Sequence, residues 1–182
     1  MIVLTLALVV LFSTLGVSQD QLLVVHRKSM RVDFIHKGTL VCSYPIRIGN
    51  DTNKTPLGKG IIAYKISRPV FRYVDPGPKK GKIVDVSECV EETVKIDYRK
   101  MRALRMVYSE MKEPKKEIRR RGLTPKGEYR FSFHSVVCPE TIGKAISKGC
   151  VGLSMSDMLE LYGMVRVNPE KNIYPRFEVR DD

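Results

Sequence analysis

A thiol and an imidazole stand sixteen positions apart in this sequence, and both are residue types that nucleophilic chemistry requires. His134 ends a strand-like run, and Cys150 follows Ser147-Lys148-Gly149. A cysteine attacks as its thiolate, and a neighbouring imidazole assists by taking the proton. Gly149 permits a tight backbone turn directly before the thiol. We therefore predict that Cys150 is a nucleophile and that His134 is its base.

The residues around this pair predict the elements that position it. Phe131 and Phe133 alternate with Ser132 and His134, which predicts a strand with His134 on its polar face. After Leu153 the sequence is typical of a helix start. Ser154 or Ser156 can cap that helix, and Asp157 is favourably placed in its first turn.

Each of these residues also has a simpler interpretation. Cys150 can be a buried structural thiol, His134 a strand-end surface residue and Lys148 a solvent-facing side chain. A zinc site is the rival use of the cysteines, but the spacing from His134 through Cys138 to Cys150 fits no common ligand pattern. The sequence therefore predicts no metal and no cofactor.

The same residues resemble the L,D-transpeptidase catalytic domain, the YkuD fold. That family carries a His at a strand end, a short loop, and then Ser-His-Gly-Cys with an apolar residue. Here His134 and the run Ser147-x-Gly149-Cys150-Val151 occur in that order. Upstream, residues 44–58 resemble the family's segment that ends in Thr-Pro-x-Gly. The resemblance covers most of residues 22–167 and identifies the chain as a divergent member.

Two positions depart from the family pattern. Lys148 stands where the family usually has His, and Gly152 stands where it usually has Arg or Asn. An ammonium at position 148, with a reference pKa of about 10.4, favours the thiolate but does not take a proton from an incoming amine. Gly152 lacks the side chain that in relatives is suited to binding a substrate carboxylate.

The resemblance implies a reaction on bacterial peptidoglycan. Cys150 would attack the carbonyl of the third stem residue, release the terminal D-alanine and form a thioester. Transfer to an amine of a second stem is L,D-transpeptidation, whereas transfer to water is L,D-carboxypeptidase activity. The resemblance also implies that amides around Lys148 and Gly149 stabilise the oxyanion, with Ser135 and Ser147 in supporting roles. A catalytically inactive wall-binding module is the remaining alternative.

Alternating apolar residues predict the fold class. Val32 and Phe34 alternate with charged neighbours, and residues 40–48 keep a period of two. We expect a mainly β, L,D-transpeptidase-like sandwich or sheet domain with one principal helix after the Cys motif. Residues 101–111 fit a strand and a helix equally well.

The first 17 residues are almost wholly apolar, which predicts a cleaved export signal over residues 1–18. An uncleaved N-terminal membrane anchor is the alternative. Either places the domain in the periplasm or cell envelope of a bacterium. The catalytic domain is predicted over residues 22–167, with a polar C-terminal tail over residues 168–182.

The net charge of +12 is concentrated in one region of the chain. Residues 79–130 hold 16 Lys and Arg against 9 Asp and Glu. The basic insertion at about 79–123 indicates an anionic partner surface, a lid or a solvated loop. Nucleic acid is not the expected partner, because the chain has no binding motif, no Trp and an export signal.

We expect a monomer. The pairing of Cys42, Cys89 and Cys138 in disulfides stays open.

Overall fold

A computed structural model describes residues 20–69, 98–112 and 131–182. The predicted export signal, Cys89 and most of the basic insertion lie outside these residues. Across the three described ranges, no helix has both the length and the apolar character needed to span a membrane.

The described residues form ten strands, two 3-10 turns and one α-helix. Their bounds, in chain order, are β1 (Gln21–His26), β2 (Arg31–His36), β3 (Thr39–Pro45), β4 (Ile48–Gly49), β5 (Gly58–Ser67), a 3-10 turn (Tyr98–Lys100), β6 (Arg102–Met111), β7 (Phe131–Ser135), a 3-10 turn (Pro139–Thr141), β8 (Ala145–Ser147), β9 (Val151–Leu153), α1 (Met155–Met164) and β10 (Arg176–Arg180).

Eight of the strands form one sheet in the order β3-β2-β1-β10-β5-β6-β7-β9, and β4 pairs with β8 in a second, two-stranded sheet. Most neighbours in the large sheet are antiparallel; β1 with β10 and β7 with β9 are parallel. The predicted mainly β fold with one principal helix is confirmed. Residues 101–111, for which strand and helix patterns competed, belong almost entirely to β6.

Residues 168–182, which the sequence predicts to be a polar tail, contribute β10 to the middle of the large sheet. Phe177 of β10 pairs with Leu23 of β1 on one side and with Gly60 of β5 on the other. The Phe177 side chain is fully buried and Val179 nearly so. The C-terminal residues are therefore part of the domain's core.

One hydrophobic core serves both halves of the large sheet. It joins buried side chains of β1 and β2 to those of β6, β7, β9 and α1. On α1, Met158 and Leu161 are buried. Leu159, which the helical pattern places on the buried side, is instead 40% exposed. Residues 158 and 161 are one turn apart and face the sheet, whereas residue 159 is rotated by about 100° from 158.

Both ends of α1 are stabilised by specific contacts. The Ser154 hydroxyl accepts a hydrogen bond from the Asp157 amide at 3.1 Å, so Ser154 is the N-cap. At the other end, the Lys65 ammonium of β5 donates to the carbonyl oxygens of Tyr162 and Val165. A cation at this end also complements the helix dipole. These contacts fix the helix that directly follows β9.

Candidate active site

His134 lies on β7, and Cys150 directly precedes β9, the parallel neighbour of β7. In the ladder between β7 and β9, His134 pairs with Gly152. Paired residues project from the same face of a sheet, and so do residues two apart along one strand. Cys150 stands two residues before Gly152, so this alternation, extended by one residue beyond the start of β9, assigns it to the face of His134. The register thus places the two predicted reactive residues at neighbouring positions of the sheet.

The His134 ring is held by a backbone carbonyl. Its Nδ1 lies 2.9 Å from the carbonyl oxygen of Ser135, and the residue is only 7% exposed. A carbonyl oxygen can only accept, so Nδ1 carries the proton and Nε2 is the basic nitrogen of the neutral ring. The predicted strand therefore exists, but its polar face is covered and His134 is buried.

Burial also sets the charge of this imidazole. Desolvation lowers the pKa of His134 to about 4, against the opposing effect of the hydrogen bond to Ser135; the positive charge of Arg47 lowers it further. His134 is therefore neutral at pH 7 and ready to accept a proton at Nε2.

The Ser135 side chain has a different task from its carbonyl. Its hydroxyl oxygen accepts a hydrogen bond from the backbone amide of Arg102 on β6 at 3.1 Å, and the residue is almost wholly buried. Ser135 thus ties β7 to β6 through its side chain and holds the imidazole through its backbone.

Cys150 is partly exposed, but its surroundings favour the thiol. Burial raises its pKa, while a hydrogen bond with the Ser132 backbone and the charges of Arg105 and Arg47 act in the opposite direction. With a neutral imidazole on the same face, the resting pair is a thiol and a neutral base.

The turn before Cys150 is held by the side chain of Ser147. The Ser147 hydroxyl donates to the Cys150 carbonyl oxygen at 2.6 Å and accepts from the Gly149 amide at 3.1 Å. Gly149 has φ +105°, a conformation that side chains strongly disfavour, and an added Cβ would lie 2.6 Å from Cε1 of Phe131. Ser147 and Gly149 therefore shape the turn that presents the thiol.

Position 152 is occupied in space by a side chain from another part of the chain. Arg47 and Gly152 form an isolated antiparallel bridge. A Cβ at Gly152 would lie 2.6 Å from both Cγ and Nε of Arg47. The arginine side chain thus lies across the glycine, where a residue with a side chain would leave it no room.

Arg105 is the second cation that acts on the thiol. It pairs with Ser132 across β6 and β7, so it projects from the face of the sheet that carries Cys150. Neither Arg47 nor Arg105 is singled out by sequence analysis. For Arg47 a signal exists, because a glycine inside a strand often marks the close approach of another group. For Arg105 no sequence signal exists, since its position depends on register alone.

The L,D-transpeptidase catalytic domain model matches residues 20–173 of this chain. The chain belongs to this family. A search of curated proteins gave no match.

Solved L,D-transpeptidases share the fold of this domain. The enzyme from Mycobacterium smegmatis superposes with a TM-score of 0.55 at 16% identity, covering 88% of this chain and 58% of its own. A mutant of the Enterococcus faecium enzyme gives 0.56 at 15% identity, covering 89% and 50%. LdtMt1 in complex with imipenem gives 0.57 at 15%, covering 88% and 59%. This L,D-transpeptidase domain thus spans half to three-fifths of their length.

Two further predicted residues, Lys148 and Gly149, lie in the turn before Cys150 of this L,D-transpeptidase domain. Lys148 has an exposed side chain at the tip of the turn. The Gly149 amide donates to Ser147, so in this structure it is engaged within the turn. Among residues 20–69, 98–112 and 131–182, no three His, Cys, Asp or Glu side chains cluster as metal ligands.

Proposed function

We propose that this protein is a cysteine-dependent L,D-transpeptidase that acts on the stem peptides of bacterial peptidoglycan. One observation carries the proposal: within a domain of this family, a neutral His134 on β7 pairs with Gly152 of β9, two residues after Cys150. Cys150 is partly exposed as a residue, which places it near the surface of the domain. The orientation of His134 through Ser135 directs Nε2, the basic nitrogen, away from the backbone.

In acylation the Cys150 thiol passes its proton to His134 Nε2 in the same step as its attack, because the resting pair is a thiol and a neutral imidazole. The sulfur attacks the carbonyl carbon of the third stem residue, and backbone amides of the turn at Lys148 and Cys150 stabilise the oxyanion. When the tetrahedral intermediate collapses, the C–N bond to D-alanine breaks. The proton on Nε2 passes to the departing amine, leaving a thioester on Cys150 and a neutral imidazole.

The thioester is then resolved by a nucleophile that His134 deprotonates. An amine of a second stem peptide gives a cross-link, and water gives a tripeptide stem. The exposed ammonium of Lys148 stands two residues from Cys150 and repels a cationic acceptor. This placement favours water and makes L,D-carboxypeptidase activity the second candidate. Retention of both Cys150 and His134 argues against an inactive wall-binding module.

The substrate implies where the protein works. Peptidoglycan lies outside the cytoplasmic membrane, and the apolar residues 1–17 provide a route for export to the periplasm or cell envelope. We propose that the mature domain acts there as a monomer. One structural neighbour is in complex with imipenem, and we propose that Cys150 reacts with carbapenems as well.

The decisive experiment supplies mature protein with disaccharide-tetrapeptides. D-Alanine release together with tripeptide or cross-linked dimer is expected, and Cys150→Ala should remove both products. Cys138→Ala is the matched control and should retain them. If the wild type releases no D-alanine while a known L,D-transpeptidase does so in parallel, the proposed function is wrong.

A further inference from the structure

We propose that Arg47 binds the terminal carboxylate of the D-alanine that leaves during acylation. The proposal rests on the proposed function and adds the residue that selects a free carboxyl terminus. It identifies a cation that belongs to the substrate site although it is 103 positions away from Cys150 in sequence.

Backbone hydrogen bonds fix Arg47 beside the reactive strand. The Arg47 amide donates to the Gly152 carbonyl oxygen at 2.8 Å, and the Gly152 amide donates to the Arg47 carbonyl oxygen at 2.9 Å. This reciprocal pair holds Arg47 at the outer side of β9. Cys150 stands two residues before Gly152, so the arginine is a fixed neighbour of the thiol.

The absence of a side chain at Gly152 sets the path of the Arg47 side chain. Its Cγ and Nε cross the space that a Cβ at position 152 would occupy. The Val136 Cγ1 atom bounds the same space, at 2.4 Å from that Cβ position. Arg47 therefore lies against β9, the strand that Cys150 directly precedes, and does not extend freely into solvent.

Further along the side chain, Thr141 orients the guanidinium. Arg47 Nη1 donates to the Thr141 hydroxyl at 3.2 Å, and that hydroxyl donates to the Cys138 carbonyl oxygen at 2.5 Å. A guanidinium has five N–H donors in a planar fork, which is suited to a carboxylate. Arg47 is partly exposed as a residue, although its Nε is buried.

The positive charge of Arg47 acts on both reactive side chains. It lowers the pKa of His134 and opposes the effect of burial, which raises the pKa of Cys150. In the proposed substrate, the carboxylate belongs to the residue directly after the scissile carbonyl, about 3.8 Å on by Cα spacing. An anion so close to the attacked carbon must lie within a few ångströms of Cys150, and Arg47 is held on that side of the strand.

The test compares two stem tetrapeptides that differ in one group. One ends in D-alanine with a free carboxylate and the other in D-alaninamide. The wild type should prefer the carboxylate form, measured as kcat/KM for tripeptide formation. Arg47→Ala should lower the ratio of kcat/KM for the carboxylate form to kcat/KM for the amide form on the order of 10- to 100-fold, as loss of a charge-assisted hydrogen bond does. Lys144→Ala removes an exposed charge nearby and should leave the preference intact.

A second variant separates loss of the charge from loss of the fold. Arg47→Lys keeps a positive charge at position 47 and leaves Gly152 unchanged, so it should retain part of the carboxylate preference that Arg47→Ala loses; a preference equal to that of Arg47→Ala, with unchanged thermal stability, would count against a role for the charge. Thermal unfolding of each variant is recorded alongside.

The outcomes distinguish the binding role from the proposed function. If the wild type hydrolyses neither peptide, the proposed function fails and the role of Arg47 fails with it. If the wild type is active but Arg47→Ala slows both peptides equally, the transpeptidase function stands and carboxylate binding by Arg47 is overturned. Carboxylate binding is likewise overturned if the wild type is active but shows no preference between the two peptides.

Discussion

The Ser135 carbonyl oxygen lies 2.9 Å from Nδ1 of His134, the residue that directly precedes it in the chain. The ring is thereby held by its own strand, and one tautomer is selected. Because burial keeps this ring neutral, the base is available without a charged thiolate–imidazolium pair. This arrangement leads to the first prediction.

The stability of the fold should report the neutral state of His134. Its pKa is about 4 in the folded protein and 6.5 for an ordinary histidine. Between these values the unfolded chain binds more protons, so the free energy of unfolding should fall as pH decreases from 6.5 to 4. The loss attributable to this group is about 3 kcal/mol.

Carboxylates titrate in the same range, so the measurement is a difference between two proteins. Urea unfolding of the wild type and of His134→Gln is followed at several pH values. The stability of the variant relative to the wild type should rise as pH falls through this window. A difference that stays constant with pH would show that the imidazole is not held neutral by the fold.

The thiol of Cys150 should react with a carbapenem. These drugs offer a strained acyl group to a nucleophile with oxyanion donors nearby. Intact mass of the mature protein should increase by one drug adduct. Cys150→Ala should abolish the adduct and Cys138→Ala should preserve it. Labelling that survives the first change and vanishes in the second would identify Cys138 as the nucleophile.

We expect Ser147 to hold the turn before Cys150 and not to bind the substrate. Ser147→Ala removes two hydrogen bonds, each of which contributes about 0.5–1.5 kcal/mol. The rate of carbapenem acylation should fall, because Cys150 is no longer held in one orientation. Ser109→Ala, which removes a single exposed hydrogen bond to Lys59, is the control and should leave the rate unchanged. Equal rates in the wild type and Ser147→Ala would exclude the turn as a determinant of reactivity.

Lys148 should decide between the two acceptors. A neutral His at this position can take a proton from an incoming amine, whereas an ammonium repels it. The wild type should therefore yield more tripeptide than cross-linked dimer. Lys148→His should raise the dimer fraction without a matching rise in D-alanine release. A wild type that already yields mostly dimer, or a ratio unchanged by the substitution, would leave Lys148 as a surface residue only.

Local sequence patterns predict the elements around the site well. Ser154 is the helix cap because a hydroxyl there meets the Asp157 amide three residues on, a relationship set within one turn. Alternation likewise predicts β7 and β3, although Leu40, the first residue of the alternating run in β3, is 56% exposed. These features depend on residues close in sequence.

Features that depend on distant pairing could not be predicted in this way. Arg105 faces Cys150 because β6 and β7 pair in one register, and a shift by one residue would place it on the opposite face. Arg47 reaches the site through a bridge to Gly152 that spans most of the chain. The position of β10 between β1 and β5 is equally a long-range result.

The central position of β10 bears on how the protein is made. In the sheet order, β10 lies between the strands β1–β3 and the strands that carry the active site. Synthesis proceeds from the N-terminus, so neither half of the sheet gains its partner until residues 176–180 have emerged. Contacts between such distant segments form slowly, because a long loop must close first. The domain should therefore stay unfolded until its synthesis is almost complete, which is the state in which a chain can be threaded through a membrane channel.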